Sequence, residues 1–127
     1  MLLVKHVMTK NAVTDKGATT VESAIKILYE KHIGSVIIVD NEGKCEGIFT
    51  TRDALRVISQ RISLKAPLND VMTKNPITIR DTGSFSEAIS LISSHGIRHL
   101  PVVDANDRLV GILSIRSFLE GIIGLTN

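Results

Sequence analysis

A chain of 127 residues suffices for one compact unit, whereas two independent domains of about 60 residues would each have a marginal core. Apolar residues make up 43%, charged residues 22% and aromatics 3%, so the core must be aliphatic, and a net charge of +2 without a basic run argues against nucleic acid as a partner, leaving only mild basicity in its favour. The single Cys45 excludes an internal disulfide, and no apolar stretch approaches the roughly 20 residues that span a bilayer.

From the N-terminus, Lys5 and His6 interrupt the apolar start before a secretory signal could develop, so a soluble cytoplasmic protein is expected. Residues 12–14 read as a short extended piece. A helix then starts at Thr19-Thr20 and carries Val21, Ala24, Ile25 and Leu28 on one apolar face, with Gly34 as its expected stop. Ser35 to Val39 and Lys44 to Thr50 read as a hairpin turning through Asp40-Asn41-Glu42-Gly43. A second helix follows, with Ala54, Leu55 and Ile58.

The pattern then begins again. Val7-Met8-Thr9-Lys10-Asn11 recurs as Val71-Met72-Thr73-Lys74-Asn75, 64 residues on, and the register holds without insertion to Leu119 and Ile122. In the second copy an extended piece at 76–79 leads to a helix start at Gly83-Ser84, with Phe85, Ala88, Ile89 and Ile92 as the apolar face and Gly96 as the stop. Leu100 to Val103 and Arg108 to Ser114 form the second hairpin. Pro101 lacks a ladder donor and is expected at a strand start or on an edge. Phe118, Leu119 and Ile122 mark the last helix. The fold class is therefore α/β (α+β), with repeats at 1–64 and 65–127, each strand-helix-strand-strand-helix.

The turn Gly47-Ile48-Phe49-Thr50-Thr51-Arg52-Asp53 carries the most chemistry. Thr50 and Asp53 have the spacing of a capping box, which accounts for both structurally. The same geometry sets helix N–H groups beside a hydroxyl, a cation and a carboxylate, which suit a phosphate and the vicinal hydroxyls of a ribose. The second copy has Ser117 in place of Asp53, and a neutral hydrogen bond is weaker than a charge-assisted one, so its site should be weaker or empty. His95 and His99 are separated by Gly96 and a strand start, His6 and His32 are not repeated, and no metal site is expected. Cys45 reads as core, Glu22, Glu30 and Asp81 as solvated faces, and no catalytic constellation or glycine-rich phosphate loop is present.

A βαββα unit that opens with V-M-T-x-N-x-(V/I)-T, continues to a strand ending in Val-Asp and then to Gly-Ile-x-(Thr/Ser), resembles the CBS domain, named for cystathionine beta-synthase. Two in tandem resemble a Bateman module, here stand-alone, because the match runs from about Val7 to Ile123. The resemblance implies two repeats packed into one pseudo-twofold module that is not an enzyme. It would bind an adenine nucleotide (AMP, ADP or ATP) in the inter-repeat cleft, use no other cofactor, and signal to a regulated partner protein. The implied main site combines Ile48, Thr50, Arg52 and Asp53 with Ile77, Ile97, Arg98 and His99. The implied weaker site combines Val13, Ile33, Gly34 and Ser35 with Ile112, Ser114 and Arg116. Two alternatives stand beside it: an S-adenosylmethionine or NAD sensor, and a dimeric interaction scaffold with vestigial ligand sites. Excess apolar surface on the last helix, at Ile115, Phe118, Leu119, Ile122 and Ile123, points to a homodimer, with no membrane contact.

Overall fold

The computed structural model describes residues 1–114. In chain order the helices and strands are α1 (Val4–Val7), β1 (Thr14–Asp15), α2 (Val21–Lys31), β2 (Ser35–Val39), β3 (Cys45–Thr50), α3 (Thr51–Ser59), β4 (Thr73–Lys74), β5 (Ile79–Arg80), α4 (Phe85–His95), β6 (His99–Val103) and β7 (Leu109–Ser114), with a 3-10 turn at Leu68–Asp70 before β4.

Residues 13–76 pack as one compact unit. Its sheet runs β1-β2-β3-β4, with β1 parallel to β2 and the remaining pairs antiparallel. All five residues of β2 are buried, and Val21, Ala24 and Leu28 of α2 close over Val36, Ile38 and Phe49. Thr20 caps α2 by accepting a hydrogen bond from the Ser23 N–H, and Ser84 caps α4 by accepting from the Glu87 N–H. The helix stop in the first repeat corrects the expectation at Gly34. The chain leaves α2 at His32, in the left-handed region with φ 53°, and His32 holds the position that Gly96, φ 61°, holds after α4. A non-glycine residue tolerates that conformation at some cost.

Residues 1–12 pack with residues 77–114 in the other unit, whose sheet runs β5-β6-β7. Pro101 lies inside the central strand β6, opposite Ile112, and is fully buried, contrary to the expected strand start or edge. The matched residue in β2, Ile37, donates its N–H to the Val13 carbonyl, and Pro101 has no such donor. The β5–β6 ladder accordingly starts at Ile79–Val102, one pair later than the Thr14–Ile37 pair of the first sheet.

The packed units differ from the sequence repeats by an exchange of opening segments. Val4 and Lys5 donate backbone hydrogen bonds to the Gly83 and Asp81 carbonyls, and Thr9 and Ile112 bond each other in both directions at 2.9 Å. The same scheme, 64 residues on, joins Leu68 and Asn69 to Thr19 and Gly17. Val4 and Leu68, both fully buried, carry the apolar part of each exchange.

Helix α3 buries Val57 and leaves Leu55 and Ile58 exposed at 69% and 61%. The last-helix residues Ile115, Phe118, Leu119, Ile122 and Ile123 lie outside the described residues.

Candidate functional site

At the junction of β3 and α3 the backbone passes from extended to helical at Thr50, φ −112° and ψ 171°. The Thr50 hydroxyl accepts from the Asp53 N–H at 3.3 Å, while Asp53 Oδ2 accepts from the Thr50 N–H at 2.9 Å and from its hydroxyl at 3.1 Å. The capping box read from the sequence is therefore present, and it occupies one carboxylate oxygen. The other, Oδ1, faces Nη2 of Arg56 at 3.5 Å, and that guanidinium donates a shorter bond of 2.5 Å to the Val71 carbonyl. The Asp53 side chain keeps 13% of its exposure. Arg56 did not stand out in the sequence. Its signal was the three-residue spacing from Asp53, which puts both on one helix face.

Neighbouring strands supply the rest of this corner. Ser35 pairs with Thr50 across the β2–β3 hairpin, and the Thr51 N–H donates to the Gly34 carbonyl at 3.1 Å. Val13 is held by its bond from Ile37, and Ile48, opposite Ile37, is buried. Arg52 projects as an exposed cation from the first turn of α3. The structure thus gathers Val13, Ile33, Gly34, Ser35, Ile48, Thr50, Arg52 and Asp53 into the unit of residues 13–76. Ile77, Ile97, Arg98, His99, Ile112 and Ser114 belong to the other unit, where His99 pairs with Ser114 as Ser35 does with Thr50. Arg116 and Ser117 lie outside the described residues.

The electrostatics of the second corner differ from those of the first. Burial and the Arg98 charge beside it push the His99 pKa below the ordinary histidine value. Cys45, read from the sequence as core, is half-buried at the start of β3 and outside the core cluster, and burial pushes its thiol up to about 11. Among the described residues no group of three or more His, Cys, Asp or Glu could hold a metal ion, and no helix is long and apolar enough to cross a membrane. A polar concavity of about 470 Å³, lined by Thr78, Arg80, Glu87 and Asp107 among others, contains none of the sequence-expected site residues.

Two units built on one repeated pattern, each with a hydroxyl where its second long strand ends, define a duplicated mixed α/β module. The CBS domain family matches the chain twice, at residues 4–60 and 68–124, and the chain belongs to that family as a tandem pair. The CBS domain-containing protein YhcV of Bacillus subtilis is 32% identical over 116 residues, 91% of this chain and 81% of its own length. The CBS domain pair of protein MJ0100, solved with 5'-methylthioadenosine and S-adenosyl-L-methionine, is 30% identical, with 98% of each chain covered and a TM-score of 0.89. The CBS domain protein PAE2072 of Pyrobaculum aerophilum, solved with AMP, is 27% identical, with 91% of this chain and 89% of that one covered and a TM-score of 0.86. Among curated relatives, the chain spans 73% of one, 22% of a second and 53% of a third.

Proposed function

We propose that this chain is a regulatory module, not an enzyme, that binds an adenine nucleotide at the Thr50–Asp53 turn and passes the binding event to a partner protein. The observation that carries the reading is the division of the Asp53 carboxylate: Oδ2 is consumed by the helix cap, while Oδ1 retains acceptor capacity beside a helix N-terminus. A ribose diol supplies the donors that such an oxygen accepts, and the exposed Arg52 suits a phosphate. MJ0100 and PAE2072, solved with adenosine-containing ligands, support the shared part of the ligand. Ile77, Ile97, Arg98 and His99, implied by the resemblance, enter the proposal as further ligand contacts, and Ile112, Ser114 and Arg116 as those of a weaker second site.

The test is calorimetric titration with AMP of the wild-type protein, Asp53→Ala and Asp81→Ala. Loss of a charge-assisted contact should weaken binding by about tenfold or more in Asp53→Ala and leave Asp81→Ala unchanged. The Asp53 substitution also removes a cap worth about 0.5–2 kcal/mol, so melting temperature is followed separately. Unaltered affinity in folded Asp53→Ala would remove the ribose contact. S-Adenosylmethionine and NAD share the ribose and are the alternative ligands, while a scaffold with vestigial sites would bind none of them.

We also propose a homodimer through the last helix, at Ile115, Phe118, Leu119, Ile122 and Ile123. Leu55 and Ile58, which hold the positions of Leu119 and Ile122 in the first repeat, are both exposed, so α3 presents apolar side chains at its surface. Sedimentation analysis at micromolar concentration should give twice the 13.8 kDa chain mass. The chain mass alone would contradict it.

A further inference from the structure

Asp53 does not hold its orientation alone. Its Oδ1 lies 3.5 Å from Arg56 Nη2, a long contact that leaves the oxygen able to accept a second donor. Arg56 itself is fixed elsewhere, because the same nitrogen donates to the Val71 carbonyl at 2.5 Å, and Val71 is buried in the core beneath α3. The guanidinium is thus anchored to backbone, and the carboxylate aligns against it. We propose that Arg56 is the positioning residue of the nucleotide-binding turn: it sets the rotation of the Asp53 carboxylate so that Oδ2 stays in the cap and Oδ1 stays available to a ligand hydroxyl. The inference rests on the nucleotide reading above.

The internal repeat supplies a second observation. Sixty-four residues after Asp53 and Arg56 stand Ser117 and Glu120, so the carboxylate and its cation are replaced together. A glutamate there would repel a carboxylate three residues before it, as like charges on one helix face do. The cation therefore belongs with Asp53, not with the helix as such. The Arg56 side chain is 38% exposed, so the ion pair contributes little to stability, and its effect should appear in ligand binding instead.

The experiment is a double-mutant cycle read by AMP affinity, with wild type, Arg56→Ala, Asp53→Asn and the double variant titrated well below their melting temperatures. Arg56→Ala should weaken AMP binding by about tenfold, yet by less than about twofold in the Asp53→Asn background, where there is no charged carboxylate to orient. AMP affinity unchanged by Arg56→Ala, or an equal loss in both backgrounds, would overturn the proposal, the second because the effect would then run through the helix and not through Asp53. If wild type itself fails to bind AMP, the nucleotide reading falls and this inference with it. If wild type binds and Arg56→Ala binds equally, only the inference falls.

Discussion

At the scale of single residues, the two oxygens of the Asp53 carboxylate are held differently. One completes the cap of α3, and the other remains beside Arg56. The residue types and their spacing were legible in the sequence, but the surroundings of the second oxygen were not, since Arg56, which faces it, is held by the Val71 carbonyl 15 residues away. His99 has a different consequence. Its folded-state pKa lies below the histidine reference of about 6.5 because burial and Arg98 oppose its charge, so the unfolded chain binds the proton more readily. Stability from this group is then complete above about pH 6.5 and is lost as pH falls from there toward the lowered folded value. Thermal melting between pH 7.5 and 5 should therefore fall more steeply for wild type than for His99→Gln. Equal slopes would mean that His99 is not the group responsible.

At the scale of elements, the two hairpins were the most legible part of the chain. β2 has the expected bounds, and β3, β6 and β7 begin within one residue of them, because two apolar runs around an Asp-led turn leave few other options. Asp40 and Asp104 each accept two backbone N–H bonds across that turn, which lowers both carboxyl pKa values. α1, β4 and the 3-10 turn at Leu68–Asp70 are too short to carry a periodic signal, so the sequence reading contained none of them. They nevertheless explain two repeated residue types. A side chain at Gly47 would lie 2.5 Å from the Met72 sulfur, and one at Gly111 would lie 2.7 Å from the Met8 sulfur and 2.8 Å from the Thr9 carbonyl oxygen. Met72 can swing aside, whereas the Thr9 carbonyl is bonded to the Ile112 N–H. Gly111→Ala should therefore cost about 1–3 kcal/mol in chemical denaturation and Gly47→Ala less than about 1 kcal/mol. A reversed order would show that the Thr9–Ile112 bridge yields more easily than its geometry implies.

At the scale of the whole molecule, the duplication was plain from the 64-residue offset, and the family followed from it. The exchange of opening segments was not plain, because a repeat shows which residues correspond without showing which copy receives them. Fully buried Val4 and Leu68 decide that question through packing, each filling the core of the unit built on the other repeat. The proposed function has the same character: the oxygens and helix N-terminus of the Thr50–Asp53 turn suit a ribose-bearing ligand. Calorimetric titration of the wild-type protein with AMP tests that claim most directly. Saturable binding near one equivalent per chain is expected, from the one of the two repeated turns that carries an aspartate, Asp53. Silence toward AMP, and toward S-adenosylmethionine and NAD in the same buffer, would contradict it and leave the scaffold reading in its place.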